Sequence, residues 1–362
     1  MSARSEIPKA RRVVVKIGSR ALASDPELIG KFARALSELR GKRSFVLVSS
    51  GAIALGCARL GYRSRPKEIN RLQAAAAAGQ SVLMRRYDEA FGAVDLTVAQ
   101  VLLTHADLAD RERLNNAREA LAALLDAGAV PIVNENDTVS TEEIRFGDND
   151  QLAAMVVPLV GAELLVLLTD VEGVLDEDGR RISVLRSDSK LGKVNVNGQA
   201  VGSGGMSSKL DAARKACRSG AAVVIAPASE PSILTSILSG EDVGTLVPRV
   251  GEALRARKHW IAFTLRPRGT LLLDAGAVRV VLEGKSSLLP VGVLGLRGQF
   301  NPGDAVRLVA PDGAEVGRGL TRLGALDVAR AAGKKGGELD LVFGEGGKDT
   351  LIVHKDDLVV TV

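Results

Sequence analysis

Lys209 closes the run Val201-Gly-Ser-Gly-Gly-Met-Ser-Ser-Lys209, which leads into a helical pattern over residues 210–218. Those residue types are suited to holding phosphate. Gly202, Gly204 and Gly205 let backbone N–H groups approach an anion, Ser207 or Ser208 is placed to cap the helix, and the helix's positive end adds potential. Lys209 contributes a full, mobile charge. The run is not a Walker A loop, and the one Gly-Lys-Ser, Gly284–Ser286, has Arg279 where the first glycine of that loop belongs. Nucleotide chemistry here therefore needs another fold. A second lysine, Lys16, ends an apolar run and precedes Gly18, which puts its ammonium beside a loop that can approach phosphate. Alone, Lys16 reads best as a snorkelling surface lysine, and the glycine run reads equally well as a loop before a helix.

Further polar clusters change that balance, because each follows the end of an expected strand. β-Branched apolar runs predict strands over residues 12–17, 44–49, 96–103, 130–133, 164–168 and 222–226, alternating with alanine- and leucine-rich helical patterns. That alternation is the signature of a mostly parallel sheet covered by helices. Ligands in such sheets collect at the carboxyl ends of the strands. Lys16-Ile-Gly-Ser19, Ser49-Ser-Gly-Ala52, Asn134-Glu-Asn-Asp137 and Thr169-Asp170 all fall at such ends. One sheet edge would gather them. Gly147-Asp-Asn-Asp150 reads as a turn with Asp150 as N-cap of a helix over residues 151–157.

Composition narrows the remaining classes. The chain has 362 residues, 46% apolar and 25% charged, as expected of a globular protein with two domains. Its apolar runs are too short to span a bilayer and its N-terminus lacks an apolar signal core, so the cytoplasm is the expected address and no membrane partner is expected. Cys57 and Cys217 cannot build a disulfide framework, and His105, His259 and His354 lack metal-ligand spacing. No metal ligands are assigned to the chain.

After about residue 260 the texture becomes short runs separated by glycine turns. Strands are expected over residues 271–274, 277–282, 305–309, 339–342 and 351–353, turns at Pro302-Gly-Asp304 and Pro311-Asp-Gly313, and one helix over residues 325–332. The expected boundaries are residues 1–258 for the α/β domain, 259–267 for a linker whose neighbouring Arg255-Ala-Arg-Lys258 is a solvated face, and 268–362 for a small β-rich domain. Despite a net charge of +5 overall, residues 268–362 hold 12 Lys and Arg against 12 Asp and Glu, and only Phe300 and Phe343 as aromatic side chains. This gives little support to RNA binding, although a balanced count leaves room for a local basic patch.

Taken together, the clusters resemble the amino-acid kinase superfamily, and within it the glutamate 5-kinase family. Val15-Lys-Ile-Gly-Ser19, Ser49-Ser-Gly-Ala-Ile-Ala-Leu-Gly56, Thr104-His-Ala-Asp-Leu-Ala-Asp-Arg-Glu-Arg113, Asn134-Glu-Asn-Asp137, Phe146-Gly-Asp-Asn-Asp150, Leu168-Thr-Asp170 and Gly204-Gly-Met-Ser-Ser-Lys209 occur in that family's order. Gly284-Lys-Ser-Ser-Leu-Leu-Pro-Val-Gly292 and Pro302-Gly-Asp-Ala-Val306 are similar to a PUA domain. The resemblance implies a three-layer sandwich with a mostly parallel central sheet, plus a PUA-like C-terminal domain. Arg20 departs from the pattern, standing where relatives often carry a small hydroxyl residue, and the segment 176–180 is short.

The implied reaction is transfer of phosphate from ATP, with Mg2+, to the γ-carboxylate of L-glutamate, the first step toward proline. A glutamate side chain with a pKa of about 4.3 is already ionised at neutral pH, so no general base is needed. Cations must instead offset repulsion between carboxylate and triphosphate. Lys16 and Lys209 are the candidates, and the resemblance gives Asp150 the role of orienting both. Asp137 and Asn149 suit an α-ammonium group, Ser50 and the N–H groups of Gly51 and Ala52 suit an α-carboxylate, and Asn134 completes the pocket. The family's nucleotide site maps to Lys16, Thr169, Asp170, Ser203, Gly204, Gly205, Met206, Ser207, Ser208 and Lys209. Also implied are feedback inhibition by proline, handover of product to γ-glutamyl phosphate reductase, and a homo-oligomer. The alternatives are another superfamily phosphotransferase, acting on acetylglutamate, aspartate, carbamate or UMP, and, more remotely, a PUA-containing RNA-binding protein.

Overall fold

Continuous apolar runs in the strands commit the first two-thirds of the chain to a sheet buried on both faces. The computed structural model describes residues 3–140, 149–186, 205–229, 232–251 and 253–361. It divides into two compact units, residues 1–253 and 254–362. The first unit holds strands β1 (Arg12–Ile17), β2 (Ser44–Ser49), β3 (Val98–Leu103), β4 (Val130–Glu135), β5 (Leu164–Thr169), β6 (Ala222–Pro227) and β7 (Thr245–Val247) in the order β3-β4-β2-β1-β5-β6-β7. All pairings are parallel except the last, β6 with β7. The expected strands are present, with β3 beginning two residues later than anticipated and β4 and β5 running further into their polar ends.

The pleat of the strands sorts alternate side chains to two separate cores. Val13, Val15, Ile17, Phe45 and Leu47 enter one, together with Phe32 and Leu36 of helix Leu28–Leu39 and Leu83, Tyr87 and Phe91 of helix Ile69–Gly92. Val14, Val46, Val48, Leu165 and Leu167 enter the other, with helices Arg111–Asp126, Asn149–Val160 and Met206–Arg218. Helix, sheet and helix layers therefore stack as a three-layer sandwich. Each fully buried Val, Leu, Ile or Phe side chain contributes about 1.5–3 kcal/mol, so both faces hold the strand ends in place. Two helix starts differ from expectation. Helix Met206–Arg218 is capped by Gly205, which puts Ser207 and Ser208 inside its first turn, and Asn149–Val160 includes Asp150 within the helix where an N-cap was anticipated. In the second case the acidic Asp150 occupies the first turn, where the helix dipole favours it.

The second unit contains β8 (Gly269–Leu273), β9 (Val293–Gly298), β10 (Ala305–Val309), β11 (Glu315–Thr321) and β12 (Val353–Val360), in the order β12-β11-β10-β8-β9. Two expected strands are helices. Residues 277–282 lie in helix Ala275–Glu283, because the Asp274 side chain accepts a hydrogen bond from the Ala277 N–H at 2.6 Å and Gly284, at φ 67°, closes the far end. Val278 and Val281 face the core at helical spacing while Val280 and Leu282 are exposed. Residues 339–342 lie in helix Gly337–Phe343, where Leu339 is buried and Leu341 is 90% exposed. Glycine-rich β9 and β11 had no counterpart among the sequence expectations. The segment 259–267, read as a linker, is helical through Thr264, and its Ile261 and Ala262 pack on Val359. Arg257 pairs with Asp357 at 2.6 Å. The second unit thus begins at residue 254.

One crossing in the first unit has no tolerance for side chains. Helices Ala52–Arg59 and Ile69–Gly92 meet so closely that a Cβ on Gly56 would lie 1.7 Å from the Ala75 carbonyl oxygen, and one on Gly79 1.8 Å from that of Ala52. Both contacts are with backbone, so neither can yield by rotamer change. Gly79→Ala should lower stability by about 2–3 kcal/mol in urea unfolding, as for overpacked cores. Gly92→Ala, in the same helix with nothing within 4 Å, should change it little or raise it slightly.

Candidate active site

Lys16, buried to 6% exposure near the end of β1, places its Nζ 2.7 Å from Oδ1 of Asp150. Lys209, equally buried in the first turn of helix Met206–Arg218, places its Nζ 3.1 Å from Oδ2 of the same carboxylate. Asp150 itself is fully buried at the start of helix Asn149–Val160. A charge removed from water must be compensated within contact distance, and here one carboxylate serves two ammonium groups. The trio retains a net charge of +1, and both lysines line a cavity over the C-terminal ends of β1, β2, β4 and β5.

Asn149, the preceding residue, faces the other half of that cavity. Its Nδ2 lies 2.8 Å from the Ser49 carbonyl oxygen, 2.9 Å from Ser50 Oγ and 3.0 Å from Asn134 Oδ1. Two helix Ile69–Gly92 side chains brace this arrangement. Gln80 Oε1 accepts from Asn134 Nδ2 at 2.8 Å, and the Tyr87 hydroxyl donates to Ser49 Oγ at 2.9 Å. Complete burial pushes the Tyr87 phenol up to about 12, so it remains a donor. Ser50 leads into Gly51 at φ 107° and helix Ala52–Arg59, whose first N–H groups have no intrahelical partner and face the cavity with Ser50.

Asp137 lines the same cavity beyond Asn134. Burial pushes its carboxyl up to about 6, against the opposing pull of the Arg65 guanidinium. On the opposite side, Thr169 and Asp170 end β5. Arg20 pairs with Asp170 at 3.0 Å across the rim, and Thr169 Oγ1 donates to Asp170 Oδ1 at 3.1 Å. Partial burial pushes the Asp170 carboxyl up, but these hydrogen bonds outweigh it and hold the group below its ordinary range.

Most expected site residues therefore converge. Lys16, Ser50, Gly51, Ala52, Asn134, Asp137, Asn149, Thr169, Asp170 and Lys209 line the cavity, and Asp150 contacts both of its lysines. Of the expected phosphate loop, Gly205, Met206, Ser207 and Ser208 are not among the lining residues. Met206 packs on the second core and the Ser208 carbonyl accepts from Gln151 Nε2 at 3.2 Å. Ser203 and Gly204, with Val201, Gly202 and Phe146-Gly-Asp148, lie outside the described residues. Sequence reasoning missed Arg65, Glu135, Gln80 and Tyr87. Arg65 and Glu135 line the cavity, and Gln80 and Tyr87 support it from an alanine-rich helix that carries no chemical signature.

The sequence matches the amino acid kinase family over residues 11–227 and the PUA domain over residues 269–343. The chain belongs to the amino acid kinase family. A glutamate 5-kinase of Nitrosococcus oceani is 46% identical over 371 residues, covering 99% of each chain. Those of Chromohalobacter salexigens and Geobacter sp. are 45% and 42% identical, covering 99% and 98% of this chain and 98% of each relative. Within the amino acid kinases, this chain is a member of the glutamate 5-kinase family, and the family implies ATP as phosphoryl donor.

The buried trio can be tested directly. Asp150→Asn leaves two buried ammonium groups without their carboxylate and should cost about 3–5 kcal/mol in urea unfolding at neutral pH. The combined variant Lys16→Met, Asp150→Leu, Lys209→Met should recover much of that loss, since replacing all three charges by apolar groups removes the desolvation penalty.

Proposed function

We propose that this chain transfers the γ-phosphoryl group of ATP to the γ-carboxylate of L-glutamate, giving γ-glutamyl phosphate and ADP. The observation that carries this reading is the Asp150 carboxylate holding Lys16 and Lys209 at 2.7 and 3.1 Å beside a cavity whose far side is Asp137. A carboxylate oxygen attacks the γ-phosphorus as the bond to the bridging oxygen of ADP breaks, and no proton is transferred. The surplus positive charge of the trio offsets repulsion between the two anions and the charge that develops on the phosphoryl oxygens. Lys16, between the two halves, meets the transferring group, Lys209 the nucleotide phosphates, and Asp150 is a positioning residue for both.

Asp137 pairs with the α-ammonium of glutamate, with Asn149 and Asn134 completing that contact. Ser50 and the N–H groups of Gly51 and Ala52 receive the α-carboxylate. Thr169, Asp170 and the loop through Ser203, Gly204, Gly205, Met206, Ser207 and Ser208 form the nucleotide side. Among the described residues no three His, Cys, Asp or Glu side chains gather as a metal site, and the donors beside the phosphates are ammonium groups. That set fits Mg2+ held by phosphate oxygens and water, where it would neutralise triphosphate charge.

The product is an acyl phosphate that water destroys, so the same reading assigns γ-glutamyl phosphate reductase as consumer, proline as feedback inhibitor at the glutamate pocket, a homo-oligomeric enzyme and a cytoplasmic setting. No helix among the described residues is long and apolar enough to cross a membrane. The test is glutamate-dependent ADP release with hydroxylamine present to trap the acyl phosphate as a hydroxamate. N-acetylglutamate lacks the ammonium that Asp137 would meet, and should give none. Turnover with acetylglutamate or aspartate and silence with glutamate would overturn the assignment.

Asp137 also predicts a pH dependence. Its carboxyl titrates at about 6, and only the ionised form attracts an ammonium group. The KM for glutamate should be flat above neutrality and rise roughly tenfold on lowering the pH to about 5, where the glutamate side chain, with a pKa of about 4.3, is still ionised. Asp137→Asn should raise KM at neutral pH and abolish that rise.

A further inference from the structure

The register of the second sheet places three arginines in one row across its outer face. Thr270 of β8 pairs with Arg297 of β9 and with Arg307 of β10, and Arg307 pairs with Arg318 of β11. Their strand neighbours Leu271, Val306 and Leu308 point into the core, so the row faces away from it. Arg268 joins the three at a cavity of about 390 Å³, where Gly269 lies opposite Gly298. Neither glycine can gain a side chain. A Cβ on Gly269 would lie 2.3 Å from the Phe300 ring, and one on Gly298, at φ 90°, would lie 2.6 Å from the Arg268 carbonyl oxygen.

This arrangement is electrostatically costly as it stands. Like charges directly opposite in a sheet destabilise it, and Arg307 and Arg318 are such a pair. One carboxylate is present. Glu315 accepts from Arg318 Nε at 2.7 Å, while Arg318 Nη1 is also tied to the Ala262 carbonyl at 2.8 Å. Among the described residues no carboxylate pairs with Arg268, Arg297 or Arg307, which leaves three uncompensated positive charges around the cavity. Guanidinium forks pair bidentately with phosphate oxygens, and several forks converging on one cavity suit an anion with several phosphates.

We propose that this cavity binds a small polyphosphorylated anion. The proposal is independent of the kinase reading, since every residue it uses lies in the second unit. A nucleic-acid strand is the less suitable ligand. Among the described residues no aromatic side chain lines the cavity, and Phe300 beside Gly269 is buried in the core, so nothing there offers a face for base stacking.

The test is titration calorimetry of inorganic tripolyphosphate into the full chain and into the variant Arg297→Ala, Arg307→Ala. Binding at the kinase lysines occurs in both proteins and cancels in the comparison. The wild-type chain should show an additional, salt-sensitive site that the variant binds at least about a hundredfold more weakly, the loss of two charge-assisted contacts. A cooperative unfolding transition no lower than that of the wild-type chain, as expected on removing two exposed arginines from a repulsive row, shows that folding is intact. Indistinguishable isotherms would overturn the proposal, as would orthophosphate binding as tightly as tripolyphosphate. So would arginine-dependent binding of a short single-stranded RNA without binding of tripolyphosphate.

Discussion

The carboxylate of Asp150, shared between Lys16 and Lys209, is the constraint on which the first unit is organised. Three charges withdrawn from water each carry a desolvation penalty of several kcal/mol, recovered only at contact distance and in good geometry. The observed 2.7 and 3.1 Å meet that condition. Because the three residues come from β1 and from two helices on the second core, the ion contacts also fix the mutual placement of those elements. The apolar packing around Val14, Leu152 and Leu210 makes the converse argument, since it leaves the side chains little freedom to relax apart.

Asn149 and Asp150 divide the cavity between them. Asp150 faces Lys16 and Lys209, while Asn149 reaches Ser50 and Asn134. Two consecutive residues at one helix start therefore set the spacing between the lysine-lined half of the cavity and the half lined by Ser50 and Asn134. That spacing is insulated from surface motion, because helix Asn149–Val160 is buried along most of its length. The glycine crossing at Gly56 and Gly79 does the same for the Ser50 side, holding the Ser50–Ala52 turn against the helix that supplies Gln80 and Tyr87.

What could be read from sequence follows from how local each signal is. Strands β1, β2 and β6 are mostly β-branched apolar runs, and their continuous burial repeats what the residues dictate. Lys16 and Lys209 were legible because each lies near a glycine at a strand or helix boundary, Gly18 and Gly205 respectively. Gln80 and Tyr87 were not, since their importance arises only where the long helix crosses strands distant in sequence. Arg65 likewise shows its relation to Asp137 only in the folded chain. In the second unit the run from Ala275 to Glu283 carries β-branched residues that favour a strand, yet the Asp274 cap and Gly284 stop make it a helix. Local capping there prevails over propensity.

The two cationic clusters differ in what holds them together. Around Asp150 the charges are buried and internally compensated, so the protein's stability depends on them and their surplus is a single charge. On the outer face of the second sheet Arg297 and Arg307 are exposed and Arg318 is half-buried against Glu315, and their repulsion is reduced by water, salt and that carboxylate to a cost the sheet can bear. A balanced count of 12 cationic and 12 anionic residues over 268–362 conceals this, because register, not composition, brings Arg297, Arg307 and Arg318 into one row. Such a row adds little to folding, so its placement is better explained by an anion that removes the repulsion than by any contact the sheet makes within itself.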